Sequence, residues 1–148
     1  MLWRPPADDP LPLSPTSRTH HWLWPAMLLL GSSVVTVAWV VLALSTGRQS
    51  GWMALVAAAE AAWMLRLGTL AAGRTRVIIT LLAVLGITIA ANWGIVAAHI
   101  GSMMGLGILD SAQRLGPHLA WTYAGLLNGP TEWLYLGLAL LLGWRLAR

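Results

Sequence analysis

The chain has 148 residues, of which 57% are hydrophobic and 9% charged, with a mean hydropathy of +0.69; this balance excludes an ordinary soluble domain and makes lipid the solvent for most of it. Its formal charge of +4 comes from Arg alone, because Lys is absent, and the arginines stand at the ends of apolar runs, which excludes the dense basic stripe of a nucleic-acid binder. There is no Cys, so disulfides, thiolate metal sites and thiol redox chemistry are excluded as well.

Residues 1–21 place Pro5, Pro6, Pro10, Pro12 and Pro15 among Asp8, Asp9, Ser and Thr. Such a composition cannot bury enough apolar surface to order itself and is expected to form a disordered cytoplasmic tail. From Trp22 to about Thr46 the chain is apolar, long enough to cross a hydrocarbon core of about 30 Å. A cleavable signal peptide competes here, with Ala43-Leu44-Ser45 loosely fitting a cleavage site, but the apolar run exceeds the usual length of roughly 7–15 residues and predicts a retained helix. Gly47-Arg48-Gln49-Ser50-Gly51 reads as a turn. A second span is expected over about 52–72, an Arg-flanked turn at Gly73-Arg74-Thr75-Arg76, and a third span over about 77–98.

The outer segment 100–129 differs, because Gly101, Gly105, Gly107 and Gly116-Pro117 leave apolar pieces too short to cross a bilayer. Leu106, Leu109 and Ala112, with Asp110 and Arg114 on other faces, suggest a short amphipathic helix with an i,i+4 acid-to-base pair. Residues 118–127, containing Trp121 and Tyr123, suggest an interfacial or re-entrant helix ended by Asn128-Gly129-Pro130. The last span, about 131–146, carries Glu132 in its first turn, where a negative charge suits the helix dipole. The expected fold is therefore all-α, a polytopic bundle over 22–148 of four transmembrane helices with short interfacial helices between spans three and four.

With the N-terminus in the cytoplasm, Arg4, Arg18, Arg74, Arg76, Arg145 and Arg148 lie inside, and Arg48 and Arg114 outside. Both termini are thus expected to be cytoplasmic, in a bacterial inner membrane; abundant Ala, Gly, Arg and Trp without Lys points to a GC-rich coding sequence. Trp22, Trp24, Trp52, Trp133 and Trp144 fall at span ends, as interfacial anchors do.

Glu60 lies near the middle of the second span, where an ionisable group costs a few kcal/mol on insertion scales and calls for a reason. On the third span Thr80, Thr88, Asn92 and His99 recur near helical spacing as one polar stripe, and counting from the outer ends puts Asn92 level with Glu60. Glu60, Asn92, Thr88 and His99 are the candidate substrate- or ion-binding residues: Glu60 either holds a proton or cation or ties two helices together by hydrogen bonding. Arg66, near the inner end, belongs to the charges that set topology. His99 and His118 could be drawn as axial haem ligands, without diagnostic spacing, and Trp39, Trp63 and Trp93 could line a quinone or lipid site or simply fill the bundle. No catalytic frame, P-loop, dinucleotide fingerprint or zinc motif is present.

The leading expectation is a small non-catalytic integral membrane protein, a subunit or accessory component that meets the lipid bilayer and either itself or another membrane protein. The alternatives are a small oligomeric transporter or channel using Glu60 as a proton or cation site, and a haem- or quinone-binding anchor.

Overall fold

Leu and Ala, the strongest helix formers, fill the apolar runs, while Gly47, Gly51, Gly73, Gly105, Gly107 and Gly129 fall between them. The computed structural model describes residues 22–148, and the described residues are all-helical, with α1 at Leu23–Thr46, α2 at Met53–Leu67, α3 at Arg74–Met104, α4 at Ile108–Arg114, α5 at Pro117–Leu127 and α6 at Pro130–Ala147. The expected tail at 1–21 lies outside the described residues. Two helices, α1 and α3, are long and apolar enough to cross a membrane.

Helix ends correct the expected boundaries. The second apolar run continues to Ala72, but α2 stops at Leu67. Thr69 enters the left-handed region at φ 61°, and its N–H bonds the Arg66 carbonyl while the Leu70 N–H bonds the Leu65 carbonyl. These paired bonds form a Schellman stop with Thr where Gly is usual. Hydropathy is blind to such a stop. The third helix is longer than expected in both directions, with 31 residues. Arg74, Thr75 and Arg76, read as a turn, are its first residues, and Gly101 lies inside its last turns rather than in a broken loop. Gly101 is buried there; a Cβ on it would lie 2.9 Å from the Leu106 carbonyl oxygen and 3.3 Å from Ser111 Cβ, so its bare backbone lets the chain fold back. Gly105, at φ 67°, then ends the helix. The short helices expected between 100 and 129 form as α4 and α5, but among the described residues Asp110 and Arg114 make no ion pair.

Contacts between helices set their directions. A Cβ on Gly31 of α1 would run into the Glu60 carboxylate of α2, and one on Gly68 would run into the Trp24 backbone, so α1 and α2 are antiparallel. Gly143 of α6 approaches Thr80, and Ala147 meets Arg76, so α6 is antiparallel to α3. Gly51 meets Glu132, and Arg66 meets Leu146, so α2 and α6 run side by side in the same direction. The four helices alternate up and down around α2, whose Ala54, Ala57, Ala58, Ala61, Ala62 and Leu65 are buried. Small side chains on that helix let α1, α3 and α6 approach closely.

At one end of the bundle, two arginines close the C-terminus of α6. Arg76, buried, donates from Nε to the Ala147 carbonyl at 2.8 Å, and exposed Arg66 donates from Nη2 to the Leu146 carbonyl at 2.6 Å. Both meet carbonyls that the helix leaves unpaired, at the negative end of its dipole. Arg148 stacks over the Trp144 ring at 5.0 Å from its centroid. Of the five expected anchors, Trp22, Trp52, Trp133 and Trp144 are exposed, whereas Trp24 is half-buried against Gly68.

Candidate binding site

Three carboxamide side chains gather where α2 and α6 begin. Gln49 precedes α2, Asn128 precedes α6, and Asn92 faces both from within α3. Gln49 Nε2 donates to Asn92 Oδ1 and to Asn128 Oδ1, each at 2.8 Å; Asn128 Nδ2 donates to Asn92 Oδ1 at 2.9 Å. Asn92 Nδ2 in turn donates to the Thr88 carbonyl at 2.9 Å. Three segments far apart in sequence are tied by one ring of carboxamides. Each such bond contributes about 0.5–1.5 kcal/mol net, and losing one buried partner costs about 1–3 kcal/mol. The ring is not saturated: Asn92 and Asn128 each keep one N–H, and Gln49 keeps its carbonyl, without a partner among the described residues.

Beside the ring, between α3, α5 and α6, opens a cavity of about 520 Å³, within the usual range for a small-molecule site of about 300–1,000 Å³. Its walls are largely apolar. Leu85, Ile89 and Leu136 line it with four indoles, those of Trp39, Trp93, Trp121 and Trp133, and its polar side holds Gln49, Thr88, Asn92, Asn128 and Glu132. Trp39 is buried, with its Nε1–H unpartnered among the described residues, and Trp93 is held by an Nε1–H bond to the Ala112 carbonyl at 3.3 Å. Trp121 and Trp133 are exposed. Among the described lining residues Glu132 alone is charged. It stands in the first turn of α6, accepts a hydrogen bond from Thr131 Oγ1 at 2.9 Å, and is half-buried.

The structure divides the expected site residues. Thr88 and Asn92 line the cavity, the Thr88 hydroxyl donating to the Val84 carbonyl at 2.8 Å. Glu60 does not join them. Its carboxylate packs into the notch left by the missing side chain of Gly31, facing α1 rather than α3, and both oxygens are buried without a hydrogen-bond partner among the described residues. The expected bond to Asn92 is therefore not made: the amides of Gln49 and Asn128 occupy that acceptor. Depth counted along the helices ignored the direction in which each side chain points. His99 is half-buried with Nδ1 2.9 Å from the Ile95 carbonyl of its own helix, while His118 is exposed. Among the described residues no three His, Asp or Glu side chains converge on a metal site. Of the three internal indoles, Trp39 and Trp93 reach the cavity and Trp63 lies exposed on the outside of α2.

Gln49, Asn128, Glu132 and Trp121 were missed as site residues because each was explained locally, as turn, helix stop, dipole partner or interfacial ring. One signal was present. An apolar chain with four carboxamide side chains, Gln49, Asn92, Gln113 and Asn128, has strong reason to pair them, and three of the four do so. Compared with known protein families, curated proteins and solved structures, the chain matches none.

Proposed function

We propose that this chain is a small non-catalytic integral membrane protein, a four-span bundle that works as a subunit or accessory component of a membrane assembly. The observation that carries the proposal is the outward surface of the helices. Leu29, Leu30, Val34, Val37 and Val41 of α1, Ile78 and Leu82 of α3, and Leu134, Leu138 and Leu141 of α6 are exposed. In water such a belt would be a large aggregation liability; in lipid it is the expected exterior. The polar side chains, by contrast, turn inward or to the helix ends: the carboxamides bond one another at one end, and Arg76 and Arg66 bond the last carbonyls of α6 at the other.

In this reading α1, α2, α3 and α6 are the four spans. The 15 residues of α2 rise about 22 Å and the 18 of α6 about 27 Å, so the turns before α2 and α6 complete the crossing. Arg66, Arg76 and Arg148 gather at one end of the bundle, which supports placing that end and both termini in the cytoplasm of a bacterial inner membrane. The transport alternative has less support, because Glu60 packs against Gly31 while Thr88 and Asn92 belong to the cavity.

The test uses the natural absence of Cys. Single cysteines at Ser45 and Thr75 should react with membrane-impermeant maleimide from opposite sides, and the full chain should leave native membranes in mild detergent with a protein partner or as a homo-oligomer. Labelling of both positions from one side would refute the topology. Recovery solely as a monomer would refute the subunit role.

A further inference from the structure

The cavity beside the amide ring has a chemistry that a purely structural subunit leaves unused. Its described lining contains one carboxylate, Glu132, and no Arg or His, and Glu132 forms no ion pair with any described residue. The stem of this side chain is held in place: a Cβ on Gly51 would lie 3.2 Å from Glu132 Cγ and 3.2 Å from Tyr135 Cδ2, so the turn before α2 presses on the first turn of α6, while Oε2 accepts from Thr131 Oγ1 at 2.9 Å. Four indoles line the same cavity, and their ring faces carry negative electrostatic potential.

Three kinds of occupant can be weighed against that lining. An anion would meet a carboxylate and no countercharge. A neutral quinone or lipid head could accept from the remaining N–H groups of Asn92 and Asn128, but its carbonyls would be set against Glu132. A cation with an apolar body answers both features, since its charge pairs with the carboxylate and its substituents pack on the indoles. A bare metal ion would leave a space of about 520 Å³ mostly unfilled, and its hydration shell has few polar partners there.

We propose that this cavity binds a lipophilic organic monocation, an ammonium or phosphonium centre bearing aromatic or alkyl groups, with Glu132 opposite the charge and Trp39, Trp93, Trp121 and Trp133 around the apolar groups. The site depends on the fold alone and not on membership of a larger assembly, so it and the subunit reading can fail separately.

Equilibrium dialysis of the full chain in mild non-ionic detergent, with tetraphenylphosphonium as the probe, tests the site. Saturable binding with one cation per chain is expected, and tetraphenylborate, of the same shape and opposite charge, should not displace it. Glu132→Gln should weaken binding at least tenfold, and Trp121→Ala severalfold. Gly125→Leu provides a control away from α6: a side chain there starts with no neighbour within 4 Å and extends from a residue that lines the cavity, so it should also reduce binding at least tenfold while helicity and elution volume stay as in the parent chain. Displacement by tetraphenylborate, or unchanged phosphonium binding by a folded Glu132→Gln or Gly125→Leu chain, would overturn the proposal.

Discussion

The two ends of the bundle solve the problem of polar groups among apolar helices in opposite ways. At the end that holds Arg66 and Arg76, the helices are in close contact, Gly68 lies against the Trp24 backbone and Gly143 against Thr80, and charged groups reach across to the last carbonyls of α6. At the other end, indoles and carboxamides line a cavity between the helices. The first end gains stability from packing, the second from a few directional bonds, and the second is the end that can admit a ligand.

That contrast can be broken most severely at the close-packed end. Gly68→Ala would drive a methyl into backbone atoms of Trp24, which cannot swing aside; a loss of about 3 kcal/mol is expected, read as a lower midpoint in SDS unfolding followed by far-UV circular dichroism. Gly31→Ala should lose less, because the Glu60 carboxylate it displaces sits at the end of a flexible side chain. Adding Glu60→Ala to Gly31→Ala should recover part of that loss, a coupling that a double-mutant cycle measures; additive effects would show that the notch is not shared.

At the open end, Asn92→Ala removes the acceptor used by both Gln49 and Asn128, and about 2 kcal/mol should be lost in the same assay. Gln49→Ala placed on top of it should cost less than it does alone, because only its bond to Asn128 is then left to lose. Full additivity would mean that the ring is three independent contacts. The two arginines offer a finer comparison within one end: buried Arg76→Ala should lower stability by about 1–2 kcal/mol, and exposed Arg66→Ala by less than about 1 kcal/mol. Equal effects would remove burial as the reason. Gly86→Ala, where an added Cβ meets nothing within 4 Å inside α3, should be the mildest change, a gain of up to about 1 kcal/mol from helix propensity.

Much of the helical layout was legible in the sequence. The apolar run from Trp22 to Thr46 became α1 almost residue for residue, and Asn128-Gly129-Pro130 marks the break before α6. Hydropathy failed at α2, where a backbone stop at Thr69 ends the helix inside an apolar run, and at the start of α3, because Arg sits comfortably in a helix. The site was half legible. Thr88 and Asn92 stood out as polar residues on an apolar helix, but their partners came from turns, and the pairing of Gln49 with Asn92 and Asn128 spans 43 and 79 residues. Glu60 was conspicuous for its charge, yet its surroundings depended on a glycine in another helix. Sequence spacing along one helix carries no information about which neighbour supplies the gap.

The bond from Arg76 to Ala147 also has a consequence in time. Its two ends are 71 residues apart, and at roughly 5–20 residues per second the ribosome takes about 4–14 s to make the stretch between them. Through that interval the guanidinium is already part of the nascent chain while its final acceptor does not exist. This contact therefore forms only after α6 has been made, and until then Arg76 must bond something other than its final acceptor.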